Sequence, residues 1–287
     1  MTLINSLKQP FKQARWQLRR RQAASRWSQS QMDQLPAVVG NAMPKSGSHL
    51  LIQVLQGLTQ LGPFVDPGMP PLSRSADNVN LPDEAVVANL HQLGSGDIAY
   101  CYLHARQPFL SELASPGVAS FFIYRDPRDV IVSQVFYATD MHEGHGMHRY
   151  YNEQLSTMEQ RINAAIRGVN TSEAHLSPIK TKYEHYLGWL QQPQVLCLRF
   201  EDLILDRQDA LGRVLGHMES RGFKPQVSRS QAVETLAGAI APRTSGTFRR
   251  GQPGEWKEQF TAENKRIFKD ATGDLLVRLG YEKDSKW

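Results

Sequence analysis

A short apolar run, a tight polar turn and a second apolar segment limit the fold of this chain more than any other feature. The run Ala37 to Gly40 is typical of a buried strand, and Leu50 to Leu55 has the character of a helix start. Residues 42–49 between them, AMPKSGSH, favour a turn. A strand, a turn and a helix in this order place the unpaired N–H groups and the positive dipole end of the helix at the turn. We therefore expect an anion-binding loop in which Lys45 supplies a mobile positive charge.

A second junction of the same kind lies further along the chain. Residues Val118 to Tyr124 predict a strand that runs directly into Arg125. Asp126 followed by Pro127 is a favourable helix start, and Ser133 then falls about two turns into that helix. Because the planar arginine fork suits phosphate oxygens, Arg125 is a candidate phosphate ligand. The alternative for this arginine is a structural ion pair with a nearby aspartate.

Predicted strands and helices alternate along the body of the chain. The strand candidates are residues 37–43, 97–103, 118–124 and 194–199. The helix candidates are residues 48–61, 106–114, 127–138, 151–168, 178–190, 206–220 and 229–239. This alternation predicts an α/β fold with a central, mostly parallel sheet flanked by helices. Ligands bind beyond the carboxyl ends of the strands in such sheets, which is where Lys45 and Arg125 fall.

Positive charge is concentrated at the start of the chain. The formal net charge is +5, but residues 1–36 hold seven Lys and Arg residues against one acidic residue, so this part carries +6 and the remainder −1. We therefore predict a basic extension over residues 1–36 and one domain over residues 37–287. The near-neutral domain argues against a nucleic-acid groove. The extension is expected to be a solvated or loosely docked arm, and the alternative is an amphipathic helix on an anionic membrane surface.

The cysteines and the hydropathy pattern favour a cytoplasmic location. Cys101 and Cys197 both lie in apolar, strand-like runs and are predicted to be buried thiols rather than a disulfide. No apolar run approaches the about 20 residues that span a bilayer, and no secretory signal follows the first residue. Reduced cysteines are usual in the cytosol.

The two junctions and a third segment resemble the motifs of sulfotransferases that use 3′-phosphoadenosine 5′-phosphosulfate (PAPS). The sequence PKSG at 44–47 resembles the family's 5′-phosphosulfate loop, whereas a triphosphate-binding loop has its lysine after the last glycine. An arginine followed eight positions later by a serine, as in Arg125 and Ser133, resembles the family's 3′-phosphate motif. The sequence FRRGQPGEWK at 248–257 resembles its late signature R-K-G-x-x-G-D-W-K, with Arg250 in place of lysine and Glu255 in place of aspartate.

This resemblance implies a P-loop-like, three-layer fold and a sulfuryl-transfer reaction. PAPS would be the co-substrate, adenosine 3′,5′-bisphosphate the leaving product, and no metal would be required. The implied general base is His104, because the family has its catalytic histidine between the two phosphate motifs, at an equivalent spacing; an ordinary histidine at a strand end is the alternative. The implied catalytic residues are His104, Lys45 and Ser133. The implied nucleotide-binding residues are Lys45, Ser46, Gly47, Ser48, His49, Arg125, Ser133, Phe200, Arg249, Arg250 and Gly251.

Some positions depart from the family pattern. Ser48, His49 and Leu50 follow the loop glycine where the family often has Thr-Thr-Trp, so that adenine must stack elsewhere or more weakly. Phe200 replaces a tyrosine and lacks its hydroxyl. Three histidines recur every three residues around glycines, but no cysteine or clear fourth ligand accompanies them. We expect an acceptor-side loop rather than a metal site there; the histidines are His142, His145 and His148.

Two other functions fit part of the pattern. An ATP-dependent kinase or NTPase of the P-loop type would use an anion loop, although the order of lysine and glycine disfavours it. A non-enzymatic nucleotide-binding protein would use the phosphate sites but leave His104 without a function. The sequence leaves the acceptor open among a small molecule, a sugar and a lipid.

Overall fold

A computed structural model describes residues 14, 17–23, 25–66, 68, 70–75, 78–244 and 249–287. Its strands are β1 (Ala37–Ala42), β2 (Ile98–Cys101), β3 (Val118–Tyr124), β4 (Val169–Asn170), β5 (His175–Leu176) and β6 (Val195–Arg199). Its α-helices are α1 (Gln29–Asp33), α2 (Ser48–Gly57), α3 (Asp83–His91), α4 (Phe109–Leu113), α5 (Pro127–Phe136), α6 (Met158–Arg167), α7 (Ile179–Leu187), α8 (Phe200–Leu205), α9 (Arg207–Ser220), α10 (Arg229–Gly238), α11 (Trp256–Gln259), α12 (Ala262–Thr272) and α13 (Leu275–Arg278).

The chain divides into two compact units. The first consists of Met1–Tyr124 and Gly188–Thr244, and the second of Arg125–Leu187 and Ser245–Trp287. The first unit holds β1, β2, β3 and β6, and the second holds the short antiparallel pair of β4 and β5. The predicted boundary between the basic extension, residues 1–36, and the domain, residues 37–287, differs from this division and stays a prediction.

The sheet of the first unit is wholly parallel, with the strand order β2-β1-β3-β6. Val39 of β1 pairs with Ala99 of β2 and Ser120 of β3, and Phe122 of β3 pairs with Cys197 of β6. All four predicted strands are present, and the predicted α/β class is confirmed. The carboxyl ends of parallel strands lie at one edge of a sheet, where ligands bind in folds of this class.

Helices α2 and α9 pack on the sheet of the first unit, and α10 packs on both of these helices. Val54 and Leu55 of α2 are fully buried, as are Leu211 and Leu215 of α9, and they belong to the same apolar cluster as Val38 of β1. Burial of each such side chain contributes about 1.5–3 kcal/mol relative to exposure. This packing fixes the start of α2 against the end of β1, which is the position of the predicted anion loop.

The second unit is built mainly around α5, α6 and α12. Helix α6 begins with a capping box, in which Thr157 accepts from the backbone N–H of Gln160 and the Gln160 side chain accepts from the Thr157 N–H. Helix α12 packs against it, and the amide of Asn264, which is fully buried, donates to Asn163 at 2.7 Å. A polar group in this position is stabilised only because it has partners.

Some helices differ from their predicted bounds. Residues 151–168 were predicted as one helix, but a π-helical turn (Tyr150–Gln154) is separated from α6 by an extended break, because the Thr157 cap starts a new helix. Helices α3, α8, α12 and others were not predicted. Both cysteines are free thiols; Cys101 is buried as predicted, whereas Cys197 is only partly buried. In the described part of the chain, no helix has both the length and the apolar character of a membrane span.

Candidate active site

The turn after β1 in the first unit has a strained backbone that only some residues accept. The N–H of Ser46 donates to the carbonyl of Met43 at 3.2 Å, and Lys45 has a φ of 67°. Gly47 has a φ of 91°, and a Cβ atom there would lie 2.5 Å from Cδ2 of Phe200. A glycine is therefore required for both the dihedral angle and the close approach of the Phe200 ring. The ring belongs to the first residue after β6, so Phe200 lies against the loop.

The same turn has the donors of an anion-binding site. Gly47 is the N-cap residue of α2, and no side chain caps this helix. The Ser46 hydroxyl is fully buried and makes no hydrogen bond within the described residues. Burial and the positive charge of Lys45 both lower the pKa of His49, which favours its neutral form. Uncapped backbone N–H groups, a buried hydroxyl without a partner and a nearby lysine fit a phosphate or sulfate group.

His104 follows β2 at the end of a segment that buried groups hold in place. The side chain of Asn41 donates to the carbonyl of Leu103 at 3.1 Å and accepts from its N–H at 2.8 Å. The indole N–H of Trp189 donates to the same carbonyl at 2.8 Å. Three hydrogen bonds thus fix the backbone of Leu103. The side chain of His104, which follows it, is partly exposed. A partly exposed imidazole on a rigid backbone suits a proton acceptor.

A cavity of about 230 Å³ in the first unit lies between α2 and the ends of β1 and β2, with Ser48 and Tyr102 in its wall. Asp66 and Tyr100 also line it. The Asp66 carboxylate accepts from the Gln56 amide at 2.6 Å and from the N–H of Gly68 at 2.8 Å. The Tyr100 hydroxyl is buried and has no hydrogen-bond partner among the described residues. Burial and the negative charge of Asp66 raise the pKa of Tyr100, so that it stays a hydroxyl donor.

The second unit begins with Arg125. Its side chain is 9% exposed, and Nη2 donates to Asp129 at 3.4 Å and to the carbonyl of Gln252 at 3.2 Å. Its own carbonyl accepts from the hydroxyl of Tyr183 at 2.7 Å. Arg125 therefore makes the ion pair with an aspartate that was the alternative to phosphate binding. It also contacts Gln252 in the segment that resembles the family's late signature, residues 248–257, called the late motif below.

Asp129 on α5 organises that late motif. One carboxylate oxygen accepts from the N–H of Gly254 at 2.7 Å, and the other accepts from the N–H of Trp256 at 3.0 Å. Asp129 is 1% exposed, and Ser133 lies one turn further along the same helix. Within the described residues the Ser133 hydroxyl makes no hydrogen bond, and its side chain is partly exposed.

The two arginines of the late motif are both paired with acidic groups. Nη1 of Arg249 donates to Glu255 Oε1 at 2.7 Å, and Nη2 contacts Oε2 of the same carboxylate. Arg250 donates to Glu255 at 3.3 Å and to Glu258 at 3.0 Å. Burial opposes ionisation of Glu255, but the two guanidiniums lower its pKa overall. Gly251 follows with a φ of 62°, again in the left-handed region.

The three histidines of the loop after α5 have nearby aromatic and backbone contacts. The rings of His142 and His145 lie 5.4 and 5.8 Å from that of Tyr137, while Nδ1 of His148 is 2.8 Å from the carbonyl of Ala138. Across the described ranges, no three His, Cys, Asp or Glu side chains are arranged as metal ligands.

The structure adds residues that the sequence analysis did not select. Asn41, Trp189, Tyr183 and Asp129 hold the segments that carry His104, Arg125 and the late motif. Asn41 had a usable signal, since a polar residue inside a buried strand must find partners. The roles assigned to the site residues themselves stay predictions.

Comparison with family models identifies one family, and comparison with solved structures identifies the fold. The chain matches the sulfotransferase domain over residues 36–280. No curated protein sequence is significantly similar to it. Similar solved structures include mouse sulfotransferase SULT7A1 complexed with PAP, with 16% identity, a TM-score of 0.55 and 88% of each chain covered. They also include retinol dehydratase with androsterone and the inactive cofactor PAP, and the same protein with retinol and PAP.

The retinol dehydratase structures share 15% and 16% identity with the chain, with TM-scores of 0.57 and 0.55; each match covers 85% of this chain and 83% of the other. These values establish the fold, so the predicted P-loop-like, three-layer architecture is confirmed. The domain match covers most of the sequence and agrees with the three motifs that carried the resemblance. The chain belongs to the sulfotransferase family.

Proposed function

We propose that this sulfotransferase moves the sulfuryl group of PAPS to a hydroxyl or amine of an acceptor, with His104 as the general base. The observation that carries the proposal is the anion loop at residues 45–49, where α2 starts without a side-chain cap. The buried hydroxyl of Ser46, which has no hydrogen-bond partner among the described residues, and the start of this helix fit a phosphosulfate. Gly47 and Phe200 shape this loop, and Lys45 supplies the positive charge. The motifs assign the 3′-phosphate to Arg125, Ser133, Arg249, Arg250 and Gly251.

Each residue has a defined task in this reaction. PAPS supplies an activated sulfuryl group whose leaving group is a phosphate. His104 takes the proton of the acceptor as its oxygen or nitrogen forms the new bond to sulfur and the sulfur–oxygen bond to phosphate breaks. Lys45 and the N–H groups at the start of α2 stabilise the negative charge that develops on the leaving phosphate. Ser133 binds phosphate and helps to position Lys45.

A small molecule is the acceptor class that we favour. Two of the similar structures hold androsterone and retinol, which are small molecules with a hydroxyl group. The cavity of about 230 Å³ is lined by Ser48 of the anion loop and by Tyr102, two positions before His104. We propose that it receives part of the acceptor. Tyr100 and Asp66 offer a hydroxyl and a carboxylate there, which favours an acceptor with its own polar group over a wholly apolar one. A sugar or a lipid remains an acceptor class for the same assay, and a cytoplasmic location stays a prediction.

Nucleotide selectivity and turnover test the proposal together. Thermal unfolding is measured with adenosine 3′,5′-bisphosphate without metal and with ADP plus magnesium. We expect the first nucleotide to stabilise the chain more, because ADP lacks the 3′-phosphate. A ligand at 100 times its Kd adds about 2.7 kcal/mol to the free energy of unfolding. Radiolabelled PAPS is then supplied with phenols, aliphatic alcohols, amines, sugars and sterols. Equal stabilisation by ADP would favour a kinase or NTPase, and tight binding without transfer to any acceptor would favour a nucleotide-binding protein.

A further inference from the structure

The cavity of the first unit is elongated along α2 and has two different ends. Ser48 at the start of this helix and Gln56 near its end both line the cavity. Gln56 follows Ser48 by eight positions. At about 1.5 Å per residue, these two positions are about 12 Å apart along the helix axis. The cavity therefore extends from the anion loop to Asp66, whose carboxylate accepts from the Gln56 amide.

The wall between these two ends is mainly apolar. Leu51 and Ile52 of α2 line it, together with Gly40 and Ala42 of β1. An apolar wall favours an apolar ligand surface, and a few polar groups at fixed positions then orient the ligand. A ligand that fills this cavity therefore needs an apolar body with polar groups at its ends.

The carboxylate at the far end has capacity for a further contact. Of the described residues that line the cavity, Asp66 alone carries a charge. One of its oxygens accepts from the Gln56 amide at 2.6 Å, and the other accepts from the N–H of Gly68 at 2.8 Å. Both donors are neutral, and the carboxylate makes no ion pair within the part of the chain that the structure describes. Because each carboxylate oxygen has two lone pairs, a cationic donor can still bind there with a charge-assisted hydrogen bond.

The backbone that carries Asp66 is held on two sides. The N–H of Val65 donates to the carbonyl of Gly96 at 2.8 Å, and the carbonyl of Val65 accepts from the N–H of Ile98 at 2.8 Å. Arg19 of the basic extension contacts the carbonyl of Asp66 rather than its carboxylate. These contacts fix the position of Asp66 and leave its negative charge without a cationic partner in the cavity wall.

We infer that Asp66 is a specificity-determining residue, which selects acceptors that carry an ammonium group at the far end of an apolar body. The inference rests on the proposed function and names the substrate class of the same site. The ammonium group binds at Asp66, the apolar body lies along α2, and the acceptor hydroxyl lies near Ser48 and Tyr102. The ammonium group takes no part in the transfer itself. A carboxylate in its place would put two negative charges together, so that such acceptors are rejected.

Three straight-chain acceptors of similar length test this selection. They are 8-aminooctan-1-ol, nonan-1-ol and 8-hydroxyoctanoate, which end in a cation, a methyl group and an anion. The measurement is kcat/KM for each with saturating labelled PAPS, and mass spectrometry verifies that the sulfate is on oxygen. We expect the unaltered protein to prefer the amino alcohol to nonan-1-ol about tenfold or more, as one charge-assisted contact would give, and to use the hydroxy acid least well. The difference should lie mainly in KM, because the contact is the same in the ground state and the transition state.

The variant Asp66→Asn removes the charge and keeps the size of the side chain. We expect its preference for the amino alcohol over nonan-1-ol to fall close to one, and its discrimination against the hydroxy acid to decrease. Stabilisation by adenosine 3′,5′-bisphosphate in thermal unfolding shows whether the variant is folded. The matched control is Asp209→Asn, because that carboxylate is 69% exposed on α9 and does not line the cavity; it should keep both preferences.

The unaltered protein decides the matter even where the variant does not fold. Equal kcat/KM for 8-aminooctan-1-ol and nonan-1-ol in the unaltered protein would overturn the inference. A preference that persists in folded Asp66→Asn would also overturn it, since another group would then bind the cation. Transfer to other acceptors but to none of these three would overturn the inference alone. Absence of transfer to every acceptor class would instead contradict the proposed function, so the two failures are distinguishable.

Discussion

At the residue level, the position of His104 is set by its neighbours. Its imidazole is partly exposed, but the carbonyl and the N–H of Leu103 are tied to Asn41 and Trp189, which are buried. A base must be held in place while it accepts a proton. These contacts fix the backbone before His104 and leave its imidazole partly exposed to solvent. The role of the base and the rigidity of its support can therefore be tested separately.

Replacement of His104 by alanine should abolish most turnover and spare nucleotide binding. Loss of a general base costs about 10²–10⁴-fold in rate. The measurement is kcat with labelled PAPS and the best acceptor, together with calorimetric binding of adenosine 3′,5′-bisphosphate. The matched control is His91→Ala, since that histidine pairs with Glu112 at the surface of the same unit. Near-normal turnover of the His104 variant would show that another group takes the proton.

Replacement of Gly47 by alanine should damage the anion loop. The new methyl group would meet the Phe200 ring at 2.5 Å, and the φ of 91° is unfavourable for alanine. We expect a large loss of affinity for adenosine 3′,5′-bisphosphate and a lower Tm. Gly238→Ala is the control, because a Cβ atom there meets nothing within 4 Å at the end of α10. If both variants bind equally well, the loop does not hold the nucleotide.

At the level of secondary structure elements, α5 carries the residue that holds the late motif in the second unit. Asp129→Asn keeps the shape of the side chain but places an amide against one of the two N–H donors, from Gly254 or Trp256. A buried donor left without a partner costs about 1–3 kcal/mol. We expect a lower midpoint of urea unfolding and a weaker preference for nucleotides with a 3′-phosphate. Asp270→Asn, on the exposed surface of α12, should change neither.

The packing of α9 against β3 predicts a specific response to acid. The ring of His217 lies 5.0 Å from that of Phe121, its Nε2 is buried and has no partner among the described residues, and burial lowers its pKa from 6.5 to about 4. The unfolded chain therefore binds this proton more readily than the folded one. The stability associated with His217 is present above pH 6.5 and is lost as the pH falls towards 4.

His217→Leu should remove this component of acid unfolding, because leucine fills the same apolar site without a titrating group. The measurement is the free energy of unfolding by urea at several pH values between 7 and 4. The variant is expected to show a flatter dependence than the unaltered protein, while the exposed His175→Leu should not. An unchanged slope in the His217 variant would mean that this histidine titrates alike in both states.

How much of these elements can be read from the sequence depends on the range of the interactions. The four strands were predictable because each is a short apolar run. The positions of Lys45 and Arg125 after β1 and β3 were predictable because a strand–turn–helix junction is a local arrangement. Helix α3 was missed because it follows a loop rich in turn residues and its N-cap residue is Pro82, whose side chain cannot accept a hydrogen bond. The partnership of Asp129 with Gly254 was not predictable, since the two are far apart in sequence.

At the level of the whole chain, the basic extension, residues 1–36, is the part to which the proposed function gives no role. We expected a loosely docked arm, and part of it makes specific contacts within the first unit. Arg20 donates to Asp97 at 2.9 Å, and Met32 is 4% exposed. Leu18, by contrast, is 55% exposed. The extension therefore combines a segment that packs on the fold with exposed residues, which include the charged Arg21 and Arg26.

Two truncations separate these parts. Removal of residues 1–16 leaves Arg20 and Met32 in place and should change neither the Tm nor the affinity for adenosine 3′,5′-bisphosphate. Removal of residues 1–34 should lower the Tm, because Asp97 is 1% exposed and loses its arginine. The Gly94 N–H still donates to Asp97, but loss of the charged partner of a buried carboxylate costs about 1–3 kcal/mol. Asp97→Asn in the shorter chain should recover part of the lost stability, and nucleotide affinity should be retained wherever the chain is folded, since the extension holds none of the motif residues.

The same truncations test whether the extension binds membranes. Sedimentation with vesicles that contain an anionic phospholipid is compared with sedimentation with neutral vesicles, at low and at moderate salt. If the charge of the extension draws the protein to a membrane, binding requires the anionic lipid, is weakened by salt and is lost in the chain without residues 1–34. The chain without residues 1–16 should show intermediate binding, because it keeps four of the seven basic residues. Equal sedimentation of all three chains would assign the extension to packing alone, because a contact made through its charge must weaken as that charge is removed.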